Sequence, residues 1–390
     1  MDVLLLIGRI LLSSAISFGI HFYVWLRLVK RARLPRPWHV GITAAMAVLF
    51  VSIPVTTWTR NVAPGLSNAL VWISMPWMAL TGLTFVALVV LDVIGLFVHV
   101  GRRVARRPAQ VSMSRRTFLA RLTGGTALAV GGTSMARGMI EARGTHEVVD
   151  VEVRLAKLPA ALDGFTIVQL TDLHVGMTID RAFVQKVVDH ANSLAPDLIA
   201  LTGDFVDGKV DDLRHEIAPL RELRAKHGVF AVTGNHEYYS GADPWIAAIS
   251  ELGPRYLRNE RVTIGEGEHR FVLAGVDDYG AHGYAGHGED LDRALSGRDP
   301  DHAVVLLAHQ PRQVHNAKRH GVDLQLSGHT HGGQIWPWHY IVKLQQGGLL
   351  AGRYEIDGTT LYVSRGCGYW GPPVRVLAPL EITRIILRSV

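Results

Sequence analysis

Residues 148–390 are expected to form an α/β domain, either a mixed sheet or a two-sheet sandwich flanked by helices, behind an all-α transmembrane region of about four helices in residues 1–136. Three observations carry that expectation. Apolar runs of membrane length fill the front third of the 390-residue chain and then stop. Short apolar runs that break in polar, glycine-containing turns repeat through the remainder. Charge divides at the same boundary: residues 1–149 hold 16 Lys and Arg against 4 Asp and Glu, and residues 150–390 hold 24 against 30. The basic balance of the whole chain therefore belongs to its front, and the acidic remainder speaks against a partner such as long nucleic acid.

The membrane spans are expected at about 3–26, 38–59, 69–100 and 118–136. Each of the first three meets the roughly 20 apolar residues that a hydrocarbon core of about 30 Å requires. Trp25, Trp38, Trp58, Trp72 and Trp77 lie mostly near span ends, where an amphipathic ring suits the headgroup level. Arg27, Lys30, Arg31, Arg33 and Arg36 follow the first run; Arg102, Arg103, Arg106, Arg107, Arg115, Arg116 and Arg121 follow the third. The connection at 60–68 has one positive charge, so both basic loops belong to the cytoplasmic side and the amino terminus lies outside. Four crossings from that start leave the domain after Ala136 extracytoplasmic, periplasmic or outer. Residues 114–119 resemble a twin-arginine export signal, with Ser134-Met135-Ala136 as a small-residue cleavage site. Alternatively, Arg115 and Arg116 only extend the cytoplasmic charge. Arg9, His21 and Asp92 lie in or beside these spans, where ionisable groups are costly; Arg9 and Asp92 are near span ends and can snorkel, and a structural role is expected.

Residues 137–147 read as a linker. Val149 to Val153 then alternate with period two, as a half-exposed strand does. Apolar runs follow at 165–170, 197–201, 229–232, 271–274, 303–308 and 322–326, and strands without intervening helices at 360–363 and 381–387. Between the first two runs, Phe183, Val184, Val187, Val188 and Ala191 recur at helical spacing. Strand, helix, strand at this length is a βαβ unit, so the sheet is at least partly parallel.

The carboxyl ends of those runs hold the chemistry. The first runs into Thr171-Asp172-Leu173-His174, the second into Thr202-Gly203-Asp204, and the third into Thr233-Gly234-Asn235-His236-Glu237. The fifth ends in Ala308-His309 and the sixth in Gly328-His329-Thr330-His331. Ligands of open α/β sheets bind outside the carboxyl ends of strands, so five turns deliver Asp, His and Asn to one edge. Carboxylate, imidazole and amide oxygen suit borderline divalent ions such as manganese, iron or zinc. Asp172, His174, Asp204, Asn235, His309, His329 and His331 are enough for two such ions sharing one carboxylate, the arrangement that clamps an in-line phosphoryl displacement. With Cys367 alone, a cysteine-rich metal site and an intrachain disulfide are excluded.

The ordered set D-x-H, G-D, G-N-H-E, H and G-H-x-H resembles the calcineurin-like metallophosphoesterase superfamily over about residues 165–387. The membrane-associated branch with an amino-terminal twin-arginine signal looks nearest, because residues 328–334 (GHTHGGQ) and 362–366 also match it. The resemblance implies a two-sheet sandwich with helices on both outer faces. It implies Asp172, His174 and His331 on one metal ion, Asn235, His309 and His329 on a second, and Asp204 bridging them. His236 would protonate the leaving oxygen, with Asp207 orienting it through the other ring nitrogen. Protein Ser/Thr phosphatases of the superfamily carry arginine after the Asp207 position and before G-N-H; here Gly208 and Thr233 stand there. That departure points to the phosphodiesterase subgroup.

The expected function is a membrane-anchored, two-metal phosphodiesterase that cleaves a lipid-linked or small phosphodiester by attack of a metal-activated hydroxide. Its partners would be the lipid bilayer and that substrate. The rivals are a phosphomonoesterase or nucleotide hydrolase, and a non-catalytic membrane binding module. Three features stay outside this reading. Asp277-Asp278 with His282 and His287 form a polar loop, either solvated or facing substrate. Trp336-Pro337-Trp338-His339-Tyr340 either grips lipid or substrate or packs on the domain. Cys367 is expected as a small buried or turn residue.

Overall fold

The computed structural model describes residues 3–60, 62–105 and 112–390, so Arg106 and Arg107 of the second basic loop lie outside the described residues. Two compact units divide the chain. One takes in the described residues up to Ile140 together with Gly371–Val374; the other comprises Glu141–Trp370 and Arg375–Val390.

The first unit is helical. Helix α1 (Val3–Trp25) runs on into a π-helical turn, Leu26–Lys30, and is followed by α2 (Arg36–Thr59), α3 (Pro64–Val104) and α4 (Met113–Ala142). Leu11–Lys30, Arg36–Thr59 and Gly65–Val104 are long and apolar enough to cross a membrane. Leu12, Phe18, Val48, Ile94 and Phe97 are each more than half exposed on these helices, a surface that suits lipid rather than water. The span expected at 118–136 does not reach that composition. Helix α4 has the length, at 30 residues, but glycine, threonine and arginine dilute its apolar content. Within residues 137–147, expected as a linker, α4 continues to Ala142 and a strand starts at Glu147. Asp92 pairs with Arg27 at 2.5 Å and accepts from the Tyr23 hydroxyl, while Trp77 Nε1 donates to His21 at 3.1 Å. Both intramembrane groups are thus held in polar pairs.

The second unit holds two six-stranded mixed sheets. The first contains β1 (Glu147–Arg154), β2 (Thr166–Leu170), β3 (Leu198–Leu201), β4 (Val229–Ala231), β5 (Arg255–Tyr256) and β12 (Glu381–Arg388), in the order β1-β12-β2-β3-β4-β5. The second contains β6 (Glu260–Glu266), β7 (His269–Gly275), β8 (Val304–Leu307), β9 (Leu324–Ser327), β10 (Gly352–Ile356) and β11 (Thr359–Val363), in the order β10-β11-β9-β8-β7-β6. Strands β2 to β5 run parallel to one another, as do β7, β8, β9 and β11.

Strand alternation explains why the central runs read as continuously apolar: both of their faces are buried. Ile167, Leu198, Ala200, Leu273, Val305, Leu307 and Leu326 point into the layer between the sheets. Their neighbours Val168, Ile199 and Leu201 face outward, under α5 (Arg181–Ser193), α6 (Val210–Ile217) and the Trp245 helix Ala242–Ser250. Val304, Leu306 and Ala274 are covered on the far side by Leu291, Ala294 and Ala317. Helix α5 is capped by the Asp180 side chain, which accepts from the Phe183 N–H, and its five expected apolar positions are all buried. Each βα crossover on these parallel strands returns the chain to the same edge. The ligand-type residues of β2, β3, β4, β8 and β9 therefore gather at one end of the sandwich.

Candidate metal centre

Each ligand-type residue lies just past a strand, in a turn that needs unusual backbone geometry. Asp172, His174, Asp204, His329 and His331 all have positive φ, between 51° and 72°. L-residues adopt that region at a cost, and such positions cluster at functional sites because the surrounding contacts hold them there. Gly234 is required for a different reason: a Cβ there would collide with the Asp204 carboxylate.

Two groups of side chains converge. In the first, His174 Nε2 lies 3.0 Å from His331 Nε2, and Asp172 Oδ1 lies 3.4 Å from His331 Nε2. In the second, His309 Nε2 lies 3.1 Å from Asp204 Oδ2, with His329 beside it at a ring distance of 5.1 Å. Asp204 stands between the groups, its Oδ2 also 3.8 Å from His174 Nε2. Asn235 approaches from helix α7 (Asn235–Ser240), whose first backbone N–H groups turn toward Asp204: the His236 N–H donates to Asp204 Oδ1 at 2.8 Å.

These donors fit divalent cations. The imidazole nitrogens of His174 and His331 face one another with a carboxylate alongside, which gathers lone pairs at one point. Asn235 Oδ1 and His329 Nδ1 are buried without a hydrogen-bond partner, and a buried polar atom is seldom left so. The opposite ring nitrogens are tied back. His309 Nδ1 donates to the Thr202 carbonyl at 2.7 Å and His174 Nδ1 to Asp207 at 3.3 Å, fixing ring orientation as metal-binding histidines require. Burial holds the His329 imidazole down at about 3, helped by His309, and holds His331 well below the usual histidine range. Both are then neutral. Burial would lower His309 too, but the Asp204 carboxylate beside it raises it well above that range.

His236 belongs to neither group. Its Nδ1 meets Asp207 Oδ1 at 2.5 Å, and its ring stands edge-on to His174 at 4.5 Å between centroids. Burial opposes its charge, yet the Asp207 hydrogen bond and the charges of Asp204, Asp207 and Glu237 raise it to about 9. Asp207, despite its burial, is held well below the carboxylate range by His174 and His236. All nine residues singled out from the sequence thus lie at one edge, as neighbours.

Three contributors escape a reading of residue types. Glu237 is fully buried and accepts from the backbone N–H groups of Gly234, Asp204 and Phe205 at 2.7–2.9 Å. Its place in the motif was the only signal. Arg375 is 1% exposed; its guanidinium donates to the carbonyls of Arg365, Gly368 and Ala378 and lies 3.2 Å from His331 Nδ1. Thr171 Oγ1 donates to Asp172 Oδ2 at 2.8 Å.

The three features left outside the site read as follows. Asp277 and Asp278 are fully buried at the start of the loop, whereas Tyr279, His282 and Tyr284 further along it are exposed. Asp277 holds Arg258 through two bonds of 2.8–2.9 Å, and Asp278 accepts from Gln310 and the Gly280 N–H. Trp336, Trp338 and Tyr340 are 36%, 39% and 64% exposed rather than packed away. Cys367 is buried, its thiol donating to the Glu381 carbonyl.

Comparison with known proteins gives the following. The sequence profile of the calcineurin-like phosphoesterases matches residues 165–333. A zebrafish transmembrane protein with metallophosphoesterase domain is 31% identical over 99% of this chain and 89% of its own length. A protein of the same description from cattle is 41% identical over 65% of this chain and 59% of its own length. An uncharacterized metallophosphoesterase of Helicobacter pylori is also 41% identical, over 64% of this chain and 66% of its own length.

Proposed function

The chain belongs to the calcineurin-like phosphoesterases, and from that premise we propose that it is a membrane-anchored phosphodiesterase acting on a lipid-linked or small phosphodiester. Metal-dependent phosphoesterase chemistry follows from the family domain and the clustered ligands. Asp172, His174 and His331 would hold one divalent ion, Asn235, His309 and His329 the other, with Asp204 shared between them. Bound there, such ions supply Lewis-acid polarisation of a phosphoryl oxygen and a water of lowered pKa.

The chain's own contribution lies in orientation and proton delivery. Asp207 occupies Nδ1 of His236, which leaves Nε2 as the atom free to face the departing oxygen. Glu237 fixes the turn that presents Asp204, and Thr171 fixes the Asp172 carboxylate.

The preference for a diester rests on the two positions where protein phosphatases carry arginine. Gly208 is the backbone partner of Ser240 and Trp245, and Thr233 is buried against Tyr238 and the Asp278 N–H. Neither supplies a bidentate clamp for the second negative charge of a monoester. The experiment uses the full chain in nanodiscs, stripped of metal and resupplied with manganese, zinc or iron. Diester turnover that requires metal and falls in His236→Ala supports the reading. Preference for a matching monoester replaces it with a phosphatase, and tight metal binding without turnover of either replaces it with a binding module.

The catalytic unit is proposed to lie on the extracytoplasmic side, with α4 as a fourth crossing. Arg121 donates to the carbonyls of Ala32 and Arg33, in the basic stretch between α1 and α2. Ten residues further, Gly131 lies so close to Thr84 that a Cβ would come within 2.5 Å of its hydroxyl. Ala127, between them, is fully buried with Val24 and Leu88. Small residues at such contacts are how membrane helices approach closely, at the expense of hydropathy. From Arg121 to Ile140 the helix rises about 29 Å, enough to cross.

A further inference from the structure

We propose that Tyr239 and Trp370 determine specificity by seating an apolar group carried on the oxygen that leaves phosphorus. The proposal rests on the reading of His236 as the residue that protonates that oxygen, and it names what the oxygen is attached to. In the step concerned, the phosphorus–oxygen bond to the departing group breaks and one to a water oxygen forms. The departing oxygen takes a proton from His236 Nε2, and a proton of the water restores the imidazole.

Rings surround the His236 imidazole on both sides. Inward it meets His174 at 4.5 Å; outward it meets Tyr239 at 5.2 Å and Trp370 at 5.9 Å, inclined at 63° and 73°. Its own side chain is 15% exposed, whereas Tyr239 and Trp370 are 71% and 57% exposed. With Nδ1 held by Asp207, a group attached to an oxygen at Nε2 has the two exposed rings as its nearest walls.

The placement of both rings is built into the fold. Tyr239 follows His236 by three residues on α7, and so lies on the same side of that helix. Trp370 is pinned through its backbone: its N–H donates to Gln334 Oε1 and its carbonyl accepts from Gln334 Nε2, both at 2.9 Å. Gln334 is itself buried, with a positive φ of 50°, three residues after His331. A buried amide thus spends both of its polar ends on holding one residue whose indole faces solvent. On the neighbouring segment the Trp336 backbone N–H donates to the Val376 carbonyl, and the Trp336, Trp338 and Leu377 side chains are exposed. Aromatic side chains left open beside a polar centre fit an apolar body better than a charged one.

The test compares two phosphodiesters that share one ester group and differ only in the departing alcohol, n-butyl or n-octyl. The two alkoxides have equal basicity, so the chemistry is matched and only apolar contact differs. With the metal-loaded full chain in phosphatidylcholine nanodiscs, kcat/KM is expected to rise roughly tenfold from butyl to octyl. The gain disappears in the Tyr239→Ala, Trp370→Ala double variant and survives in Trp370→Phe. Equal kcat/KM for both esters in the wild type, or a gain that persists in the double variant, overturns the proposal while leaving the phosphodiesterase standing. Hydrolysis of neither diester removes the phosphodiesterase and the assignment of the two rings together. Presenting the octyl ester free below its micellar concentration, or within the bilayer, separates a soluble apolar ester from a lipid as the source of the gain.

Discussion

At Glu237 one carboxylate accepts three backbone N–H groups, those of Gly234, Asp204 and Phe205. Burial and the nearby Asp204 charge raise its pKa to about 7, while the Gly234 and Phe205 N–H groups pull the other way. Glu237→Gln turns one acceptor into a donor facing an N–H. It should cost about 1–3 kcal/mol of stability, read by chemical unfolding, and lower metal content by loosening the Asp204 turn. At Asp207 the expected loss is in rate: Asp207→Asn should reduce kcat about 10–100-fold, with metal content measured alongside to separate His236 from His174. His146 gives a pH dependence of another kind. It is buried, with its Nε2 donating to the Cys367 carbonyl, and burial lowers its pKa from 6.5 to about 4, with His190, Arg375 and Lys186 adding repulsion. Between those values the unfolded chain binds a proton that the folded chain does not, so stability falls as pH drops through the window. The loss reaches about 3 kcal/mol, and His146→Gln should flatten the unfolding midpoint over pH 7 to 4 relative to wild type. The ligand-type residues were legible because they follow apolar runs in a fixed order. Arg375 was not, since its guanidinium meets five backbone carbonyls and a histidine ring that only the folded chain gathers.

Among elements, those buried on both faces were the easiest to read. β2, β3, β8 and β9 are short apolar runs between polar turns, and α5 shows its buried stripe directly. Of the four edge strands only β1 was anticipated, from its period-two alternation. β5 has two residues; β10 alternates half-buried and exposed positions and includes glycine, arginine and glutamate, and β6 buries Ile264 alone. Helix α4 extends beyond the stretch its composition marks. The span expected at 118–136 ends at Ala136, and the helix itself runs on to Ala142. Its packing makes a sharp prediction. Gly131→Ala would place a methyl 2.5 Å from Thr84 Oγ1 and 2.9 Å from the Thr84 nitrogen, while a Cβ on Gly132 meets nothing within 4 Å. The first substitution should lower thermal stability in detergent by the equivalent of about 1–3 kcal/mol and the second should not. Equal effects would mean that the helix does not depend on that contact.

For the whole molecule, the side of the membrane on which the catalytic unit works depends on the number of crossings. Three leave it on the side of the basic loops, and four on the opposite side. Arg27, Lys30, Arg31, Arg33 and Arg36 flank the end of α1, and Arg102 and Arg103 close α3, which under the positive-inside rule would assign both ends to the cytoplasm. Helix α4 starts on that side with Arg115, Arg116 and Arg121 and carries one basic residue, Arg137, from there to Ile140. The charge gradient and the glycine contacts with α3 thus favour the same fourth crossing. A reporter fused after Val390 that is active only outside the cytoplasm should therefore be active, and one that fluoresces only inside should be dark. The reverse pair of results would confine α4 to the cytoplasmic face and place the unit inside. Replacing Arg115 and Arg116 together by lysine keeps the charge but removes the arginine pair. Orientation set by charge alone survives that exchange. Export that depends on recognition of the arginines does not, and the same two reporters read the difference.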